Sequence, residues 1–215
     1  MSLQKEVSYQ TSNTYSTLNT LSEKTKNVWL VFHGMGYLSK YFINYFSELN
    51  TDENYIIAPQ APSKYYQDKK FKHVGASWLT RENTTAETEN ILNYIDAVYN
   101  EELSGNTPNL IVLGYSQGVS IAARWVARHK IQCNKLILHS GAIPKELKPK
   151  DFEFLNTSTQ VIYLYGNKDQ YVTEARKTEA ELNGSKLFKD RLTVQVFEGV
   201  HEVNKDFILT VSKEA

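Results

Sequence analysis

The sequence predicts an α/β protein with a mostly parallel central sheet, an antiparallel N-terminal edge and helices on both faces. Three observations lead there. From residue 27 onward, short apolar runs alternate with longer stretches of helical spacing, the pattern of strand–helix–strand crossovers. Runs such as Asn27-Val-Trp-Leu-Val-Phe32 are apolar without alternation, as strands covered on both faces are. Finally, Leu110-Ile-Val-Leu-Gly-Tyr-Ser-Gln-Gly-Val-Ser120 sets a serine between such a strand and a helix, with a glycine two residues to either side.

The elements follow in order. Residues 7–11 and 15–18 alternate in polarity around Ser12-Asn13 and predict an antiparallel pair at one sheet edge. Strand 27–32 ends in His33-Gly-Met-Gly36, and Tyr41, Phe42, Tyr45, Phe46 and Leu49 then recur at helical spacing. A strand at 55–58 is stopped by Pro59-Gln-Ala-Pro62, whereas 63–79 shows no period and is expected to be a long surface loop. Thr84-Thr-Ala-Glu87 reads as a capping box. It opens a long helix with Ile91, Ile95, Val98 and Leu103 facing inward, stopped by Gly105 and Pro108. Beyond the helix that starts near Ile121 come strands at 135–139, 161–165 and 192–197. A helix over 173–183 is expected to stop at Gly184, and a terminal helix over 202–213 carries Val203, Phe207 and Val211. No repeat or linker interrupts this series, so the expectation is one domain over residues 1–215.

Composition narrows the function. The 215 residues are 41% hydrophobic and 22% charged, with 24 basic and 24 acidic side chains and a formal net charge of zero. A globular core is comfortable at this length, and no basic footprint points to nucleic acid. No segment is apolar enough to span a membrane, and the N-terminus lacks the apolar core of a signal peptide. The one cysteine, Cys133, cannot form an internal disulfide or build a zinc site alone. These features favour a reducing, cytoplasmic setting without stable membrane insertion.

The glycine-flanked serine fits a nucleophile elbow, G-x-S-x-G, in which a strained turn exposes the hydroxyl. A plain tight turn is the alternative, so a base, an orienting acid and an oxyanion hole must be found elsewhere. Ligands of such sheets bind outside the carboxyl ends of the strands. Of five histidines, His201 follows the last strand and can swing back over the elbow. His33 is expected to order its own turn, His73 and His129 to be solvated, and His139 to serve structure or a pocket wall. Asp169 follows a predicted strand and suits the role of orienting acid, although a helix-capping role is also open to it. Asp190 lies at the wrong sheet edge, and Glu198 and Glu202 are too near His201 in sequence. The order Ser116, Asp169, His201 is that of the α/β-hydrolases. Oxyanion donors are expected from the backbone N–H of Gln117, at a helix start, and of Met35, in the turn after what counts as the third strand.

Together, Phe32-His-Gly-Met-Gly36, Ile57-Ala-Pro-Gln-Ala-Pro62, Gly114-Tyr-Ser-Gln-Gly118, Gly166-Asn-Lys-Asp169 and Gly199-Val-His201 resemble the phospholipase/carboxylesterase branch of the α/β-hydrolases, which includes acyl-protein thioesterases. The likeness runs from about residue 27 to the C-terminus. Tyr37, where relatives often carry aspartate, and Gly118-Val119, where they often carry two glycines, depart from it. The resemblance implies Ser116, Asp169 and His201 as a catalytic triad, with Met35 and Gln117 as oxyanion donors and no metal or organic cofactor.

The expected activity is hydrolysis of small-molecule carboxylic esters with short to medium acyl groups, through an acyl-enzyme. Tyr37, Trp78 and Tyr115 are expected to narrow the pocket around Ser116. A long-chain acyl-protein thioesterase or lysophospholipase, and a non-catalytic binding protein that kept the fold, are the alternatives. Action on peptides or lactones, thioester preference and a homodimer stay open.

Overall fold

A computed structural model describes residues 2–103 and 108–214. Seven strands form one sheet in the order β1-β3-β2-β6-β7-β8-β9. They are β1 (Tyr15–Leu18), β2 (Asn27–Phe32), β3 (Asn54–Pro59), β6 (Asn109–Tyr115), β7 (Lys135–His139), β8 (Gln160–Gly166) and β9 (Leu192–Phe197). All neighbours run parallel except β1, which lies antiparallel on β3 with Tyr15 opposite Pro59. Every residue of β2, β3 and β7 is buried. That explains why those strands read as unbroken apolar runs.

Alternate side chains of the strands enter two cores. Val28, Leu30 and Phe32 join Ile91, Ile95, Trp125 and Phe188 on one face of the sheet. These come from α2 (Thr84–Glu102), α3 (Gln117–His129) and α4 (Glu174–Phe188). Trp29 and Val31 point the other way, to Phe42, Phe46, Ile208 and Val211. Their partners are the short α1 (Ser39–Phe42), the 3-10 turn after it, and α5 (Lys205–Ser212).

Several expectations are corrected. Residues 7–11 form no strand. Val7 and Tyr9 are more than 80% exposed, and without an apolar face to cover, the segment gains nothing by pairing. The sheet edge is therefore β1 alone, and His33-Gly-Met-Gly36 follows the second strand instead of the third. Residues 63–79 are not a loop but a hairpin of β4 (Ser63–Tyr66) and β5 (Val74–Ser77). All of β4 is exposed, so no alternation betrays it. At the hairpin tip the Asp68 carboxylate accepts the N–H groups of Lys70, Lys72 and His73.

Helix α2 begins at Thr84, with Asn83 as N-cap and no side-chain cap bond. The expected capping box is absent, because the Thr84 hydroxyl donates backward to the Thr80 carbonyl. Gly105, the expected stop, lies outside the described residues. Gly184 does not end its helix either, since α4 continues to Phe188. A Cβ at Gly184 would come within 2.9 Å of Leu192 Cδ2, so this glycine permits close packing of β9. The terminal helix starts later than expected, at Lys205, where the Asn204 side chain accepts the Phe207 N–H at 2.9 Å.

Candidate active site

Ser116 sits between β6 and α3 with φ 54° and ψ −117°, a backbone region that non-glycine residues seldom occupy and that stores strain. Its neighbours hold it there. The Ser116 N–H donates to the His139 carbonyl at 2.8 Å. The flanking glycines are sterically required: a Cβ at Gly114 would lie 2.4 Å from the Gly118 oxygen, and one at Gly118 would lie 2.1 Å from the Phe32 oxygen. From the loop after β7, Gly141 passes so close that its Cβ would meet the Ser116 oxygen at 2.1 Å.

His201, in the loop after β9, brings Nε2 to 3.0 Å from Ser116 Oγ. Its Nδ1 lies 2.7 Å from Asp169 Oδ2. Opposite the ionised carboxylate Nδ1 carries the proton, leaving Nε2 free to accept from the serine hydroxyl. The Asp169 side chain is fully buried and that of His201 is 15% exposed. Asp169 Oδ1 accepts the N–H groups of Tyr171 and Val172 at 2.9 and 3.2 Å. Asp169 is thus no helix cap, since Thr173 stands at the α4 N-cap. Glu198 binds Asn167 and Lys168, and the Glu202 carboxylate accepts the Val200 N–H.

Other histidines serve structure. His33 is fully buried, donates from Nδ1 to the Gly34 carbonyl at 2.8 Å, and accepts the Ala61 N–H on Nε2 at 3.2 Å. Burial lowers it to about 4, so it stays neutral and fixes the 33–36 turn. His139 accepts the Asn204 N–H on Nε2 at 3.0 Å, and burial first, then the nearby His201, lowers it to about 3. His73 is exposed as expected, but His129 is not solvated: its side chain is 21% exposed and lies 3.2 Å from an Asp96 oxygen.

Met35 and Gln117 both line the space beside Ser116. Among the described residues neither backbone N–H meets a protein acceptor. The Met35 turn is tied down on both sides, by Gly36 N–H to the Ala76 carbonyl and by Gln67 Nε2 to the Gly36 carbonyl, each at 2.8 Å.

The three expected pocket residues lie elsewhere. A cavity of about 770 Å³ opens at Ser116, Gln117 and His201, yet Tyr37, Trp78 and Tyr115 do not line it. Trp78 is fully buried and its indole N–H donates to the His33 carbonyl at 2.8 Å, so it braces the turn from beneath. Tyr115 faces away from the cavity, as the residue next to an outward-facing neighbour must. Its ring underlies His201 at 5.2 Å, and its hydroxyl donates to the His201 carbonyl. Tyr37 packs on Tyr115 and bonds the Tyr45 hydroxyl. Sequence reasoning missed the residues that do wall the cavity, including Ile143, Tyr163, Val172, Ala180 and Asn183. They come from α4, β8 and the loops around them, which no local motif connects to Ser116.

The phospholipase/carboxylesterase family model matches residues 13–214. The chain belongs to the phospholipase/carboxylesterase family. Membership makes it a hydrolase of the carboxylesterase type. No curated protein sequence matches it. Among solved structures, esterase PE8 superposes with a TM-score of 0.68 at 20% identity, over 94% of this chain and 97% of that one. A phospholipase/carboxylesterase from Dyadobacter fermentans gives 0.68 at 20% identity, over 96% and 97%. Zea mays acyl-protein thioesterase 2 gives 0.65 at 14% identity, over 94% and 97%. At these identities the likeness is one of fold. The mostly parallel sheet with its single antiparallel edge strand is the α/β-hydrolase fold of these family members. Among the described residues no helix is long and apolar enough to cross a membrane.

Proposed function

We propose that this member of the family is a serine hydrolase that cleaves carboxylic esters of short to medium acyl groups through an acyl-enzyme. Ser116 is the nucleophile, His201 the base, and Asp169 the group that orients and stabilises the imidazolium. As Ser116 Oγ attacks the carbonyl carbon, its proton passes to His201 Nε2. The negative charge that forms on the carbonyl oxygen is met by the N–H groups of Met35 and Gln117, and the start of α3 adds its dipole. His201 then gives its proton to the departing alcohol. A water deprotonated by His201 attacks the acyl-enzyme, and Ser116 recovers its proton as the acid leaves. A thioester would follow the same path with a thiol as leaving group.

The relay of distances carries this reading: 3.0 Å from Ser116 Oγ to His201 Nε2, and 2.7 Å from His201 Nδ1 to Asp169. Short to medium acyl groups can no longer be argued from Tyr37, Trp78 and Tyr115. They are supported instead by the bulky, buried Tyr163 among the residues that line the cavity. The same reading takes the chain as one domain acting on small molecules in a reducing, cytoplasmic setting, in keeping with the single buried Cys133. A fluorophosphonate probe tests the nucleophile: it should label the wild-type protein on Ser116 and leave Ser116→Ala unlabelled. Efficient ester hydrolysis by Ser116→Ala would contradict the assignment.

A further inference from the structure

The cavity beside Ser116 is lined by both apolar and polar side chains. Ile143, Val172 and Ala180 line it, and so do Tyr163 and Asn183. Tyr163 is 1% exposed, yet its hydroxyl has no hydrogen-bond partner among the described residues. Other buried or half-buried tyrosines differ: the hydroxyls of Tyr55, Tyr94, Tyr115 and Tyr165 each donate to a protein acceptor. The fully buried side-chain atoms without a partner among the described residues are Trp125 Nε1 and His129 Nε2; the Tyr163 hydroxyl keeps access to the cavity its residue lines, where a partner can be supplied from outside. Burial also pushes the Tyr163 phenol up, so it remains a protonated donor.

Depth follows from two elements. Tyr163 lies three positions before Gly166, where β8 ends, which places it about 10 Å below the catalytic edge of the sheet. On α4, Arg176 and Asn183 both line the cavity, and seven residues of helix separate them by about 10 Å. Arg176 marks the mouth, where its guanidinium donates to the Tyr171 carbonyl at 2.8 Å and the Tyr171 ring meets His201 at 4.8 Å. Lys145 and Glu179 also line the cavity and pair at 2.5 Å. Tyr163 and Asn183 themselves are uncharged.

We propose that this cavity receives the acyl arm of the substrate, and that Tyr163 and Asn183 act as its floor and select an acyl group ending in a neutral hydrogen-bonding function such as a hydroxyl. The inference rests on Ser116 being the nucleophile. The acyl arm is assigned to the deep cavity because the leaving group departs first. Held beneath a covalently bound acyl group, an alcohol would have no exit, whereas at the mouth it leaves freely.

The test uses ethyl esters of ω-hydroxyalkanoic acids of roughly five to eight carbons, a span set by the depth above. Each is paired with the alkanoate carrying a methyl in place of the hydroxyl, and acid release is followed by titration. At the length that reaches the floor, the hydroxy ester should win by roughly tenfold in kcat/KM, since a site built to bond a hydroxyl rejects the analogue without one. Tyr163→Phe should bring that ratio close to one, and Asn183→Leu should lower it. If Tyr163→Phe does not fold, Asn183→Leu carries the same test. A wild-type ratio of one or less at every length overturns the proposal, and so does a ratio that survives both substitutions. A hydroxyl preference found only in a matched series of acetates, in the alcohol part, overturns the acyl assignment. Fluorophosphonate labelling of the same samples separates the two failures. A flat ratio with Ser116 labelled sinks the floor inference alone, whereas no labelling and no hydrolysis sinks both.

Discussion

Gln117 reaches from the start of α3 to the strand beside it and accepts the Trp78 backbone N–H at 2.8 Å. Its amide nitrogen donates to Ser77 Oγ at 3.0 Å and to the Leu79 carbonyl at 2.8 Å. One side chain thus couples the serine elbow to the β4–β5 hairpin. The hairpin in turn holds the Met35 turn through Gly36 and Ala76. The Gln117 carboxamide therefore links the two proposed oxyanion donors through the hairpin.

Replacing Gln117 with Ala should cost activity through that register, although its backbone N–H remains. The substitution leaves the Trp78 N–H without an acceptor, a loss of about 1–3 kcal/mol. Small misplacement of catalytic groups is expensive, so kcat should fall by roughly 10- to 100-fold with a lower Tm. Steady-state kinetics and a thermal melt on one preparation check this, and an unchanged kcat would show that the hairpin does not set donor geometry.

Asp169→Asn should depress kcat by at least about 10³-fold, because the amide no longer stabilises the His201 tautomer and imidazolium. Its remaining oxygen can still accept from the Tyr171 and Val172 N–H groups, so the melting temperature should barely move. Intact activity in this variant would reduce Asp169 to a turn former.

Acid should unfold the protein through His33 and His139. Both are buried and neutral in the fold, with values lowered from 6.5 to about 4 and about 3, whereas the unfolded chain takes up protons near 6.5. Their contribution is therefore fully present above 6.5 and is lost as pH falls through 6.5 toward 4 and 3. Between pH 7 and 5 the pair should cost about 4 kcal/mol. Urea melts at the two pH values measure it, and His139→Asn should flatten the dependence by about half. A pH slope identical in that variant would contradict the assignment.

Cys133 should be inert in the native state. Burial pushes its thiol up to about 12, so thiolate is scarce at pH 8. Iodoacetamide should modify it only as fast as the protein opens, and Cys133→Ser should retain activity. Rapid native alkylation accompanied by inactivation would revive a thiol mechanism.

What the sequence disclosed and what it hid divide along a physical line. Strands such as β2 and β7 are buried on both faces, so their apolar runs are legible in any order. Ser116, Asp169 and His201 could be matched because each follows a strand, and strand ends converge at one edge of a parallel sheet. The β4–β5 hairpin was hidden because its outer strand is exposed along its whole length. Pocket residues failed for another reason. Nearness to Ser116 along the chain does not tell which face a ring takes, and Tyr115 turned inward under His201. Tyr163 was invisible as a site residue because a tyrosine in a buried strand reads as core. That its hydroxyl lines the cavity without a protein partner among the described residues is a fact of three dimensions alone.

The central claim is that Ser116, activated through His201 by Asp169, is acylated during ester hydrolysis. The most direct measurement is mass spectrometry of protein quenched during turnover of a slowly hydrolysed ester, with the peptide containing Ser116 sequenced. The account predicts one acyl adduct, on Ser116, which accumulates further in Asp169→Asn only as fast as that variant turns over and never forms in Ser116→Ala. An adduct on another residue, or steady hydrolysis by Ser116→Ala, would contradict it.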